Sequence, residues 1–311
     1  MSYKNIYGPL PSRRLGNSVG VSPIPAKACN YSCGYCQLGR TDKMTVEIKE
    51  WFPLEDILAQ VDQFLASGVA YDVLTVVGEG EPTLYSRLKE LLLALKAKQP
   101  KPVCVITNAA NIDQPEVRDA LMEADIVLPS LDTVDEEEWR KLHRPSPHIR
   151  FQDILSGLVD FSGVYRGEIW LELMLVKEIN DSPQSIDALV PWLEKIRPDR
   201  VYINTPVRPP AEADVEVASP EAIAYAVDRL KGIAIDQLTT GFFDSAEEDP
   251  IEAIRKITIR HPMTEYEIRH FWEKKGVADI AGAFVDLAGR PGMKKIDYKG
   301  LISYLNAGGE D

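Results

Sequence analysis

Three of the chain's four cysteines fall within eight residues, in CNYSCGYC from Cys29 to Cys36, with the spacing C-x3-C-x2-C. The fourth, Cys104, lies far off in the apolar run VCVIT, which reads as a buried strand. Clustered thiolates select soft metals and iron–sulfur clusters. A structural zinc wants four side-chain ligands, usually as paired C-x2-C or Cys/His sets. The nearest histidine in sequence, His143, lies outside any zinc-like spacing. Zinc and three inert packed thiols stand as the bland alternatives. A cubane [4Fe–4S] cluster accounts for the count: thiolates hold three irons, and the fourth is open to something that is not protein. An open iron can chelate the amino and carboxylate groups of a methionine moiety and set its sulfonium beside the cluster. One electron then breaks an S–C bond and releases a carbon radical.

A loop of this kind must be held at one end of a sheet. VGVSPI (19–24) reads as a short strand leading into it. A helix follows, with Pro53 in its first turn and Leu54, Ile57, Leu58, Val61, Phe64 and Leu65 at helical spacing. Apolar strands at 72–78, 103–107, 125–130, 168–176 and 200–204 then alternate with helices near 85–98, 114–123, 151–162, 183–196 and 219–231. Continuous apolar strands separated by helices argue for parallel strands buried on both faces, in an α/β barrel or an open doubly wound sheet. After an acidic, turn-rich stretch at 236–250, the rhythm changes to helices at 251–259, 265–275 and up to 288, followed by a hairpin in RPGMKKIDYKGLISYLN. Thr264 and Glu267 form a capping box for the second of these helices. Three helices and a wing describe a winged helix-turn-helix.

With the motif on these elements, the chain resembles the radical S-adenosylmethionine (SAM) enzymes, whose hallmark is C-x3-C-x-aromatic-C after the first strand of a partial barrel. The resemblance spans residues 1–235. It implies an α/β fold, a partial (β/α)6 TIM-type barrel followed by a small winged helix-turn-helix domain, with 1–235 the barrel, 236–250 a linker and 251–311 the winged-helix-like domain. It also implies that Cys29, Cys33 and Cys36 hold a [4Fe–4S] cluster, that Tyr35 is the motif's aromatic, and that SAM is the second cofactor. Gly80 and Glu81, in GEGEP (78–82), match the segment whose backbone carbonyls bind the SAM amino group, although Glu79 replaces one glycine. A tight turn before a helix is the other reading there. Thr107 and Asn108 match contacts to the SAM carboxylate or ribose, with Ala109 in place of a glycine. Ser130 and Asp132 match polar residues ending the fourth strand, unless Asp132 caps the following helix. Glu172, flanked by apolar residues, needs a partner: the ribose or SAM, or a structural salt bridge. Asn204 ends the sixth strand. All of these gather at the C-terminal strand ends, where barrel sites lie.

YGPLPSRRLGNSVGVSPIP, CQLGRT, KLHRP and INTPVRPP resemble a branch loosely grouped with the wyosine-base tRNA synthases. The extra cysteines those enzymes carry for a second cluster ahead of the barrel have no counterpart in this sequence, which puts transfer of their tRNA activity in doubt. Arg13, Arg14, Arg144 and Arg208 are candidates for gripping an anionic substrate. Alternatively, SRRLG fastens the N-terminal loop to the acidic barrel, and Arg208 braces a turn. The net charge is −13, unevenly spread: residues 1–50 carry seven Lys/Arg against three Asp/Glu, and residues 251–300 ten against seven. The acidic remainder is poor for wrapping a nucleic-acid backbone. Cysteine usage makes no disulfide framework and fits a reducing cytoplasm. Neither a secretory signal nor a membrane span of about 20 apolar residues is expected.

The resemblance implies reductive cleavage of SAM to a 5′-deoxyadenosyl radical that abstracts hydrogen from an RNA base, a peptide or protein, or a cofactor precursor. A flavodoxin or ferredoxin-type electron donor follows, since no second redox centre is visible. The alternative is a cluster- or SAM-responsive regulator that binds DNA through the winged helix. Recognition helices carry basic and amide side chains, whereas VADIAGAFVDLAG is largely apolar with two aspartates; DNA binding is therefore not expected.

Overall fold

Every residue of Val73–Val76 and Ile126–Pro129 is buried, as in strands covered on both faces. A computed structural model describes residues 3–235, 243–245, 247–298 and 301–307. Its main sheet has eight strands, β1 (Ile6–Ser12), β2 (Gly16–Val21), β5 (Val73–Val76), β6 (Val103–Thr107), β7 (Ile126–Pro129), β8 (Glu168–Met174), β9 (Arg200–Asn204) and β10 (Ile233–Ala234), in that spatial order. The short pair β3 (Ala28–Cys29) and β4 (Lys43–Met44) brackets the cysteine loop. β1 and β2 form an antiparallel hairpin, and from β2 onward every neighbour is parallel. Helices α1 (Leu54–Ala66), α2 (Leu88–Lys98), α3 (Pro115–Leu121), α4 (Glu136–His143), α5 (Phe151–Val164), α6 (Pro183–Ile196) and α7 (Pro220–Leu230) fill the connections. The architecture is a partial TIM-type barrel.

Side chains alternate along each strand, as the period of two requires. Leu74, Val105, Leu171 and Ile203 join the core beneath the helices. Their neighbours Val73, Cys104, Trp170 and Tyr202 form a second cluster on the opposite, inner face. At the C-terminal strand ends the inner positions turn polar, with Thr75, Glu172 and Asn204 lining a cavity.

The first strand therefore lies three residues earlier than the sequence suggests and is preceded by β1. Pro9 and Pro11 disguise β1 as loop; proline lacks the N–H a central strand needs, but an edge strand tolerates it. Beyond the barrel, α8 (Pro250–Arg260), β11 (Met263–Thr264), α9 (Glu265–Lys274), α10 (Ile280–Gly289), β12 (Met293–Tyr298) and β13 (Leu301–Asn306) share a separate core around Ile254, Phe271 and Trp272. Their strands form an antiparallel sheet in the order β11-β13-β12. The capping box of Thr264 and Glu267 starts α9. The expected linker falls largely on 236–242 and 246, outside the described residues. No helix among the described residues is long and apolar enough to cross a membrane.

Candidate active site

The cysteine loop is clamped rather than draped. Ser32 and Gly34 donate their N–H groups to the carbonyls of His143 and Leu142 at the end of α4, both at 2.9 Å. Thr41 Oγ1 donates to the Tyr31 carbonyl at 2.5 Å, and Glu212 N–H to that of Gly34 at 3.0 Å. The three thiols are partly buried, and Cys104 is fully buried on the inner barrel face, remote from them. Burial pushes the Cys29 thiol up to about 12, with Glu81's charge adding to the effect, and raises Cys33 and Cys36 too. Binding a metal at these sulfurs must therefore release protons.

Polar groups already approach two of the sulfurs. The Tyr31 N–H donates to Cys29 Sγ at 3.4 Å, and Asn108 Nδ2 approaches the same sulfur at 3.7 Å. His143 Nδ1 lies 3.3 Å from Cys33 Sγ. Such donors tune an iron–sulfur site and orient its ligands. His143 is the residue sequence spacing had set aside; KLHRP gives no sign that the fold carries its ring to Cys33. Yet no three Cys, His, Asp or Glu side chains among the described residues close up as a ligand set for a single ion. Three partly exposed thiols, with N–H donors behind Cys29 and the His143 ring beside Cys33, fit a cluster whose irons each take one thiolate.

Glu81 organises the adjoining rim. Its Oε1 accepts from Thr83 N–H at 3.0 Å, Thr83 Oγ1 at 2.7 Å and Thr107 Oγ1 at 2.7 Å, while Oε2 accepts from Asn108 N–H at 2.8 Å. Both carboxylate oxygens are thus engaged within the protein, and so is the Thr107 hydroxyl. The Thr107 side chain is buried and faces Glu81, so any contact it makes to SAM falls to its backbone. Asn108 faces the cysteine loop, donating to Asn30 Oδ1 at 2.7 Å. Gly80 is required for packing: a Cβ there would lie 1.8 Å from the Ala28 carbonyl oxygen.

Asp132 does not cap α4; Asp135 does, accepting the N–H groups of Glu137 and Glu138. Asp132 instead accepts from Tyr35 OH at 2.5 Å and Met174 N–H at 2.9 Å, with His143 Nε2 at 3.4 Å. Burial raises Asp132 to about 6 and lowers His143 to about 3. Ser130 is partly buried beside β8, bridged to Glu172 through the backbone.

The cavity encloses about 430 Å³ and brings together Tyr35, Cys36, Gly80, Arg14, Glu172 and Asn204. Glu172 has protein partners: an ion pair with Arg14, which is the structural alternative considered for it, and Asn204 Nδ2 donating at 3.0 Å. Arg13 and Arg208 also line the cavity. Arg144 does not. It pairs with Glu212, which Arg40 grips with two bonds of 2.7 Å, and it lines a separate depression beside Asp214. These arginines hold Glu212 down to about 2. Sequence reasoning missed Arg260 and His261, which the end of α8 brings to the cavity; nothing local in ITIRHP ties them to the barrel.

The model of the radical SAM superfamily matches residues 24–189, more than half of the chain. The chain belongs to this superfamily. Like other radical SAM enzymes it uses a [4Fe–4S] cluster and SAM. It is similar over nearly its whole length to the UPF0026 protein MJ1312 of Methanocaldococcus jannaschii, at 34% identity, with 96% of this chain and 95% of that protein covered. A 205-residue stretch is 38% identical to part of a Brachyspira hyodysenteriae protein named GTPase Obg; it covers 66% of this chain but only 30% of that protein. Among solved structures, Streptococcus suis SuiB bound to S-adenosylmethionine shares the fold, with a TM-score of 0.51 at 18% identity over 68% of this chain and 48% of that one.

Proposed function

We propose that this radical SAM enzyme binds its cluster at Cys29, Cys33 and Cys36 and acts on a substrate held in the cavity that opens beside Cys36. The observation that carries this reading is the clamped three-cysteine loop at the rim of a parallel barrel, sharing one cavity with Arg14, Glu172 and Asn204. When bound, the cluster and SAM supply a 5′-deoxyadenosyl radical that removes a hydrogen atom from the substrate. The protein's own residues bind, orient and shield. Asn108 and the Tyr31 N–H stabilise Cys29 as a thiolate. Glu81 fixes the segment through Gly80, which offers its backbone to SAM. The Arg14–Glu172–Asn204 group presents a fixed polar edge, and Leu38, Val77, Ile106 and Met174 line the cavity with apolar surface that excludes water. A flavodoxin or ferredoxin-type donor in a reducing compartment supplies the electron. The segment from α8 to β13 is read as a winged-helix-like unit roofing the barrel rather than reading DNA; the exposed positions of α10 include Val285 and Asp286 and no cation.

Anaerobic reconstitution should load about four irons per chain, and dithionite with SAM should yield 5′-deoxyadenosine. Cys33→Ala should abolish both. X-ray absorption showing one metal ion bound by the three sulfurs and His143 would overturn the reading.

A further inference from the structure

The chain's net charge is −13, yet the cavity wall presents four arginines, Arg13, Arg14, Arg208 and Arg260, against a single carboxylate, Glu172. Three of the arginines have a carboxylate partner. Arg14 pairs with Glu172, and Arg260 with Glu79 at 3.1 Å and the Lys4 carbonyl at 3.0 Å. Arg208 is fixed by the Pro262 carbonyl and stands 3.5 Å from Glu267. Arg13 has neither an ion pair nor a hydrogen bond among the described residues. His261 belongs to the same wall, and its buried Nε2 has no hydrogen-bond partner among the described residues. Burial, followed by the charges of Arg208 and Arg13, holds His261 well below its usual pKa, so the three groups act on one another. Burial opposes the charge on Arg208 most, Glu267 offsets part of this, and Arg13 adds to the opposition.

Cations gathered in a partly buried wall repel one another unless an anion joins them. Guanidinium forks match the oxygens of a carboxylate or phosphate, and the unpartnered Nε2 of His261 adds a third polar group, a donor in the tautomer protonated there. We propose that Arg13, Arg208 and His261 form a binding site for an oxyanion of the substrate, either a carboxylate or a phosphate. This rests on reading the cavity as the substrate chamber. It means that one anionic group of the substrate is anchored in the cavity that Cys36 also lines, with Gln37 of the cluster loop bonded to the Arg260 carbonyl next to His261.

The test is calorimetric titration of orthophosphate and, separately, of acetate into reconstituted, SAM-saturated protein at fixed ionic strength. Saturable binding of at least one anion is expected, and the stronger binder identifies the group. Arg13→Gln and Arg208→Gln should each weaken binding by about tenfold or more, whereas Arg144→Gln, outside the cavity, should leave it within about twofold. Because Arg208 also braces Pro262, its variant is a poor judge if it fails to fold. Arg13→Gln, which removes no partner in the fold, then decides. Failure of both anions to bind, or wild-type binding by Arg13→Gln, overturns the site. Iron content and 5′-deoxyadenosine are measured on the same preparations. A loaded enzyme that cleaves SAM but binds no anion sinks the oxyanion site alone. A protein that binds anion but loads no cluster sinks the radical reading alone.

Discussion

Glu81 shows how a residue picked out for ligand binding can act through its neighbours. Its two oxygens accept four donors, from Thr83, Thr107 and Asn108, all inside the protein. In Glu81→Gln one oxygen becomes an NH2 group, and a donor then faces a donor in a buried site. Stability should fall by about 1–3 kcal/mol, seen as a lower denaturation midpoint by circular dichroism; an unchanged midpoint would show that the network is dispensable. The type and spacing of the cysteines were legible because a cluster's demands are local. The partners of Thr107, Asp132 and His143 were not, because each hydrogen bond joins segments tens of residues apart: Thr107 to Glu81, Asp132 to Tyr35, His143 to Cys33.

Among the elements, the alternation of apolar strands and helices made a parallel sheet covered on both faces readable, and the family resemblance chose the barrel over an open doubly wound sheet. Two strands escaped that logic. β1 carries prolines that only an edge accepts, and β10 has two residues, too few to show any period. The join between the second barrel strand and the cysteine loop depends on Gly80, whose missing side chain lets it press against the Ala28 backbone. Gly80→Ala must push β3 away from the rim. Less iron retained after anaerobic desalting, together with a lower unfolding midpoint, is the expected result. Full iron retention would mean that the loop holds its cluster without support from this segment.

Over the whole molecule, the two basic segments of an otherwise acidic chain converge. Arg13 and Arg14 come from one and Arg260 from the other, and they face a common cavity. Sequence shows that such segments exist, but it does not show which distant charges meet. Arg260 ties the regions together: it reaches Glu79 and the Lys4 carbonyl, lies over the Tyr7 ring at 4.7 Å, and its own carbonyl accepts from Gln37 Nε2 at 3.2 Å. Arg260→Ala should loosen this roof, raising amide hydrogen exchange in α8 and β1 by about tenfold or more while the strands at the barrel centre keep their protection. Equal exchange in both proteins would mean that α8 is held by its apolar contacts alone.

The latch at Arg260 also sets an order of events during synthesis. The ribosome releases the barrel and its thiol loop before α8, so the contacts of Arg260 to Lys4 and Glu79 form only after both barrel partners have been made.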